Sequence, residues 1–332
     1  MARVFLALAL LGLGVWAALA LWFAGVSAGL LRQVLAAAMA VLTIACVGVI
    51  VLGYRPRTAC LALALPILTV AVWFQTIDAR RERAWLPDVA RAPWAEVAGE
   101  RITFHEVRNF AWRSESDFTP RWETRTVDLA QLEGVDLVAS YWMGDAIAHV
   151  MVSFVFADAP ALAVSIETRK EAGEPYSTVL GFFRRYELVY VVADERDLIG
   201  VRTDVRADPP EDVYVYRVAM APEAARRLLL EYVRDMNELR DRPQFYNTAT
   251  TNCTTMVLIN NRVNGPVSLL NWKILLSGYL PQLVYERGRL DQTLPFAELK
   301  RRSRVNDAAR AAGLDAPDFS LRIRAGLPTP AG

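Results

Sequence analysis

Three long runs without a charged side chain fill the first quarter of the chain. They extend from Val4 to Leu31, from Gln33 to Tyr54 and from Thr58 to Ile77. A helix of about 20 apolar residues crosses a bilayer core roughly 30 Å thick. Inside lipid the backbone must satisfy its own hydrogen bonds, which a helix does. The runs therefore predict three transmembrane helices, roughly 4–25, 34–54 and 58–76. Pro66 in the third is tolerable where a neighbouring helix helps satisfy the freed carbonyl. A cleaved signal peptide is the rival reading of the first run, because Ala18-Leu19-Ala20 mimics a cleavage site. The apolar run continues past that point and only Arg3 supplies a basic leader, so the spanning reading is preferred.

Charge leaves the orientation open. Arg55 and Arg57 favour a cytoplasmic second turn and hence a large domain outside. Arg80, Arg81 and Arg83 follow the third run directly and argue the other way. Over 332 residues the formal net charge is +1, and no basic stripe marks a nucleic-acid partner. The three cysteines, Cys46, Cys60 and Cys253, are widely spaced and odd in number, unlike a disulfide framework. Cys46 and Cys60 read as packing residues of membrane helices. With only His105 and His149 present, a Cys/His zinc site is not expected, and no cofactor is implied.

From Asp78 onward charges appear regularly, which divides the chain into a membrane anchor, 1–77, and a domain of residues 78–332. "RITFHEVRNF" and "RWETRTVDL" alternate as strands do. "AIAHVMVSFVF" and "ALAVSIETR" form the clearest strand pair, joined by the turn-like "ADAP". "YELVYVV" and "DVYVYRVAM" are further strands. Pro222 opens a helix with Leu229, Tyr232, Val233 and Met236 at helical spacing, and another helix begins near Asn252. Strands first and helices later predict an α+β fold.

Side chains alternate faces along a strand. Val150, Val152, Phe154 and Phe156 share an apolar face, and His149, Met151 and Ser153 share the other. A hairpin turning about Asp158 places His149 opposite Glu167, with Ser165, on the same face, as the rival orienting group. Cys253 falls in the first turn of a helix with Asn252 as N-cap. Helix-terminal N–H groups and a nearby imidazolium both favour a thiolate there. Cysteine, histidine and carboxylate together suit a nucleophile, a base and an orienting group. The chain order is His, Glu, Cys, and such a site is defined by geometry and not by order. Asn252, Tyr246, Asn247 and Ser165 are expected around the substrate side. Asn252 would act as a cap or an oxyanion donor, and Tyr246 and Asn247 would brace the loop before Cys253. His105 reads as structural. Two motif matches are declined. Gly25-Val26-Ser27-Ala28-Gly29 fits a serine nucleophile elbow only as text, since it ends a membrane run. Asn252-Cys253-Thr254 fits a glycosylation sequon but overlaps the candidate nucleophile.

"RNFAWRSESDF", "HVMVSFVF", "SIETRKE", "YELVYVVADERDLIGVRT", "VYVYRV" and "FYNTATTNCTT", in that order between about Arg81 and Leu327, resemble the Lnb N-terminal periplasmic domain family. The resemblance implies an extracytoplasmic domain tethered to the inner membrane, which would settle the orientation. It implies a circularly permuted, NlpC-type papain-like fold with Cys253 and His149 at the nucleophile and base positions, and Glu167 carried over as the third residue. It also implies acyl transfer on bacterial lipoproteins, so a lipid or lipoprotein partner. A shared domain does not by itself carry the substrate over. The alternatives are a cell-wall thiol amidase or peptidase and a non-catalytic membrane scaffold.

Overall fold

The computed structural model describes residues 1–24 and 29–330. The Gly25–Ala28 part of the declined motif, and the end of the first expected span, lie outside the described residues. The chain divides into two compact units.

The first unit holds residues 1–81, 173–187 and 244–248. Its three helices are α1 (Ala2–Phe23), α2 (Leu30–Leu52) and α3 (Pro56–Gln75), each long and apolar enough to cross a membrane. All three spans stand where they were expected, shifted by a few residues. α2 starts earlier than predicted and takes Arg32 into its first turn. Its guanidinium donates to the carbonyls of Leu21 and Ala24 and lies 5.2 Å from the Trp73 ring centre. A charge at a helix end is tolerable when the open carbonyls of a neighbouring helix end accept it. Inside the bundle Ala17, Ala20, Ile50 and Leu63 are fully buried, and Cys46 and Cys60 join the same packing. Gly14 lies against Thr43, where an added Cβ would come within 2.3 Å of the hydroxyl. Small residues permit such close helix approach in membranes. Phe5, Leu30, Val41, Leu52 and Leu61 point outward and are exposed, as lipid-facing side chains are.

The second unit holds residues 82–172, 188–243 and 249–332. Its strands are β1 (Trp94–Ala98), β2 (Arg101–Arg108), β3 (Ala111–Trp112), β4 (Phe118–Thr119), β5 (Trp122–Asp128), β6 (Leu132–Tyr141), β7 (Ala148–Phe156), β8 (Leu162–Arg169), β9 (Glu187–Asp194) and β10 (Asp212–Arg217). Its helices are α4 (Glu195–Leu198), α5 (Pro222–Asp241), α6 (Cys253–Asn260), α7 (Trp272–Leu275), α8 (Leu280–Glu286), α9 (Phe296–Arg302), α10 (Asn306–Ala312) and α11 (Phe319–Arg322). One mixed sheet runs β1-β2-β9-β8-β7-β6-β10, with β5 also on β2, and β3 pairs with β4 apart from it. β2 and β9 are parallel, and the ladders of β6, β7, β8 and β10 are antiparallel. The α+β class is as expected.

The His149–Ser153 face, read from the sequence as the less apolar one, is buried too. Val138, Met151 and Ala163 pack there against Val305, Ala309, Phe319 and Ile323. On the other face Leu137, Ala139 and Val150 meet Leu258, Ile274, Leu280 and Leu283. A sheet covered on both faces keeps polar side chains only where partners exist. Ser153 and Asp136, both buried, accordingly bond to Glu195 and to Arg217 and Arg324 respectively.

Candidate functional site

β7 and β8 carry the histidine and the carboxylate. Their register pairs Met151 with Ser165 and Phe154 with Leu162. Two residues beyond Met151, the same register sets His149 facing Glu167. The ring Nε2 is 2.6 Å from Ser165 Oγ and 3.7 Å from Glu167 Oε1. The second distance is too long for a hydrogen bond. Ser165 therefore stands between them, since its hydroxyl also donates to Glu167 Oε1 at 2.8 Å.

That arrangement fixes a tautomer. A serine hydroxyl has one hydrogen and lone pairs to accept with. Ser165 spends its hydrogen on the carboxylate, so it accepts from His149 Nε2–H. Nδ1 is then the nitrogen left to take a proton.

Glu167 is held ionised. Burial opposes its charge, but the Arg202 guanidinium, the His149 ring and Arg108 outweigh that and hold the carboxyl well below its usual range. Arg202 donates to Glu167 Oε1 at 3.2 Å and to the Leu198 carbonyl at 2.7 Å, and is itself buried. It lies on a π-helical turn, Val201–Val205. Such turns interrupt regular helix and often mark functional places. Next to it Arg206 donates to Glu211 Oε1 at 2.7 Å, and Ser140, paired across β6 from His149, donates to the same carboxylate.

α6 supplies the cysteine. Asn252 caps it, its side-chain oxygen accepting from the backbone N–H groups of Thr254 and Thr255 at 2.9 Å each. Thr255 Oγ1 returns the favour by accepting from the Asn252 N–H at 3.0 Å, which closes a capping box. Cys253 is thus the first helical residue, half-buried and free of disulfide. Its sulfur lies 3.9 Å from Thr254 Oγ1, with the His149 side chain and the Val150 N–H close enough to act on it. Burial pushes the thiol up; the charge and hydrogen bond of His149, then the Val150 N–H, outweigh it and lower its pKa from the ordinary value. Leu258, one turn and a half along, anchors α6 in the core with Val150 and Ala148.

Of the expected residues, Cys253, His149, Glu167, Ser165 and Asn252 come together. Ser165, expected beside substrate, is fully buried and engaged with His149 and Glu167. Asn252 uses its side-chain oxygen as a cap. Tyr246 and Asn247 belong to the first unit, where the Tyr246 N–H donates to the Tyr186 carbonyl at 2.9 Å. His105 stacks on Trp94 with ring centres 3.9 Å apart. Sequence reading missed Arg202, although it lies within "DLIGVRT"; the only clue was that a carboxylate in a covered sheet needs a cationic partner. Among the described residues no group of three His, Cys, Asp or Glu side chains is arranged to hold a metal ion.

No curated protein and no solved structure compared with the chain matches it. The stretch from 118 to 278, which contains Cys253, His149, Ser165, Glu167 and Arg202, matches the family model of the Lnb N-terminal periplasmic domain.

Proposed function

We propose that the chain is a cysteine-dependent acyltransferase of the bacterial inner membrane. Residues 78–332 would be its extracytoplasmic domain, of the circularly permuted papain-like kind, and a phospholipid or lipoprotein its acyl source. The observation that carries this reading is Cys253 at the capped start of α6, brought together with His149, whose ring is held by Ser165 and Glu167. The periplasmic-domain match and the three apolar helices support a membrane-anchored protein with that domain in the periplasm.

The chemistry follows from the geometry. His149 Nδ1 takes the thiol proton, and Ser165 and ionised Glu167 steady the imidazolium. The thiolate attacks an acyl-ester carbonyl, and the alkoxide leaves with the proton from His149. An amine then attacks the thioester, His149 accepts its proton, and the Cys253 thiolate is released. Two lower barriers replace one high one.

The test is intact-mass analysis of the detergent-solubilised protein after exposure to a diacylglyceryl lipopeptide. One acyl chain on Cys253, removed by hydroxylamine and absent in Cys253→Ala, is expected. Amine acylation that persists in Cys253→Ala would sink the reading. Release of peptidoglycan fragments without acyl transfer would assign the site to cell-wall hydrolysis instead.

A further inference from the structure

Large apolar side chains on the surface of the second unit are mostly scattered: Val97, Leu230, Val263 and Leu321 stand apart in sequence and on different elements. One stretch is different. Leu270 is 96% exposed, Trp272 57% and Leu275 76%, all within six residues at and around α7. The intervening Lys273 and Ile274 turn inward, Ile274 into the core beside Leu280 and Leu283. The short helix is therefore firmly seated and displays its apolar side deliberately. Scattered exposed apolar residues need no explanation, but a concentrated group does.

The residues that follow this stretch, Ser277 and Gly278, meet the start of the strand that carries His149. The Gly278 N–H donates to the Ala146 carbonyl at 3.0 Å, and Ser277 Oγ accepts from the Ala148 N–H at 3.0 Å, one residue before His149. Gly278 lies so close to the 142–147 turn that a Cβ would come within 2.0 Å of the Asp145 carbonyl oxygen. That turn adds Met143, 68% exposed. The Lys273 stem is buried, and its ammonium pairs with Glu286 and lies 5.6 Å from the Trp272 ring centre.

We propose that Met143, Leu270, Trp272 and Leu275 form a lipid-facing apron that enters the interface of the bilayer. The occupant is a lipid surface because the same chain carries three helices able to span one, which keeps a bilayer within reach of this domain. Tryptophan beside a lysine with a buried stem is the chemistry of such an interface. Contact of this face with lipid does not depend on the thiol chemistry; only if the proposed acyl transfer holds would it also mark where an acyl chain leaves the membrane.

The full chain, with its three native cysteines changed to Ala, is reconstituted in phosphatidylcholine vesicles containing brominated phospholipid. An environment-sensitive fluorophore is placed by Leu270→Cys or Leu275→Cys, with Leu321→Cys and Val97→Cys as exposed controls on other elements. Blue-shifted emission and severalfold stronger quenching at 270 and 275 than at 321 and 97 are expected. Equal, water-like emission at all four positions would overturn the proposal. A blue shift at 270 without lipid quenching, growing with protein density, would assign the apron to a second copy and overturn it equally. In chains with native cysteines, Leu270→Ser with Leu275→Ser should leave the pH profile of Cys253 alkylation unchanged, which separates loss of the apron from loss of the fold.

Discussion

Ser165 has one hydroxyl hydrogen and two partners, and its role follows from that count. It passes the charge of Glu167 to His149 without the two ever touching. Ser165→Ala leaves Nε2–H facing a carboxylate 3.7 Å away. Losing one hydrogen bond of about 1 kcal/mol should slow Cys253 alkylation at neutral pH by about fivefold. Ser165→Thr, which keeps the hydroxyl, should recover part of it. His149→Ala removes the base itself, and acyl transfer should fall by about 10²–10⁴; initial rates with the lipopeptide check both. Cys253, His149 and Glu167 were legible in the sequence. A chain with one cysteine beyond the membrane runs and two histidines offers few choices, and strand parity sets Glu167 opposite His149. The bridging by Ser165 was not legible, because parity gives faces and not rotamers. Arg202 was not legible either, for it reaches Glu167 from a π-helical turn that no periodicity announces.

Two elements hold the nucleophile in place. The capping box fixes where α6 starts and so where Cys253 stands. Asn252→Ala should destabilise by about 1 kcal/mol, read by urea unfolding in detergent, and should also raise the pH at which Cys253 alkylates. Leu258→Ala empties a core position under the same helix, for which about 2–5 kcal/mol is the usual cost. Helix α5 and strands β7 and β8 were legible by period, with ends within a few residues. β6 was not: "LEGVDLVASY" interrupts its apolar residues with Gly134, Asp136 and Ser140. Those breaks are tolerated because Arg217 and Arg324 bond Asp136 and Glu211 bonds Ser140. Such long-range pairing overrides local pattern.

Across the molecule, buried carboxylates tie distant segments together. Burial opposes ionisation of Glu195, Glu211 and Asp194, as it does for Glu167, but Arg324, Arg202 with Arg206, and Arg125 respectively outweigh it and lower all of them. A carboxyl lowered in the folded state contributes stability that is full above the ordinary range near about pH 4 and is lost as pH falls through the folded value. Asp88 and Asp235 are raised by burial and offset part of that loss. The folded domain should therefore lose stability below about pH 4, and Arg324→Gln should shift the acid transition, followed by tyrosine and tryptophan fluorescence, to higher pH. The three-helix anchor was legible because charge-free runs of this length admit few other structures, while the side of the membrane on which the domain stands was not, since its flanking arginines conflict. An impermeant maleimide applied to intact spheroplasts should label Glu115→Cys in a chain otherwise free of cysteine.

Formation of the Cys253 thiolate by His149 is tested most directly by the pH dependence of Cys253 alkylation by iodoacetamide. In the detergent-solubilised protein the apparent thiol pKa should fall below the free-cysteine value of about 8.5 and rise in His149→Ala. An ordinary thiol, unmoved by His149→Ala, would contradict the account.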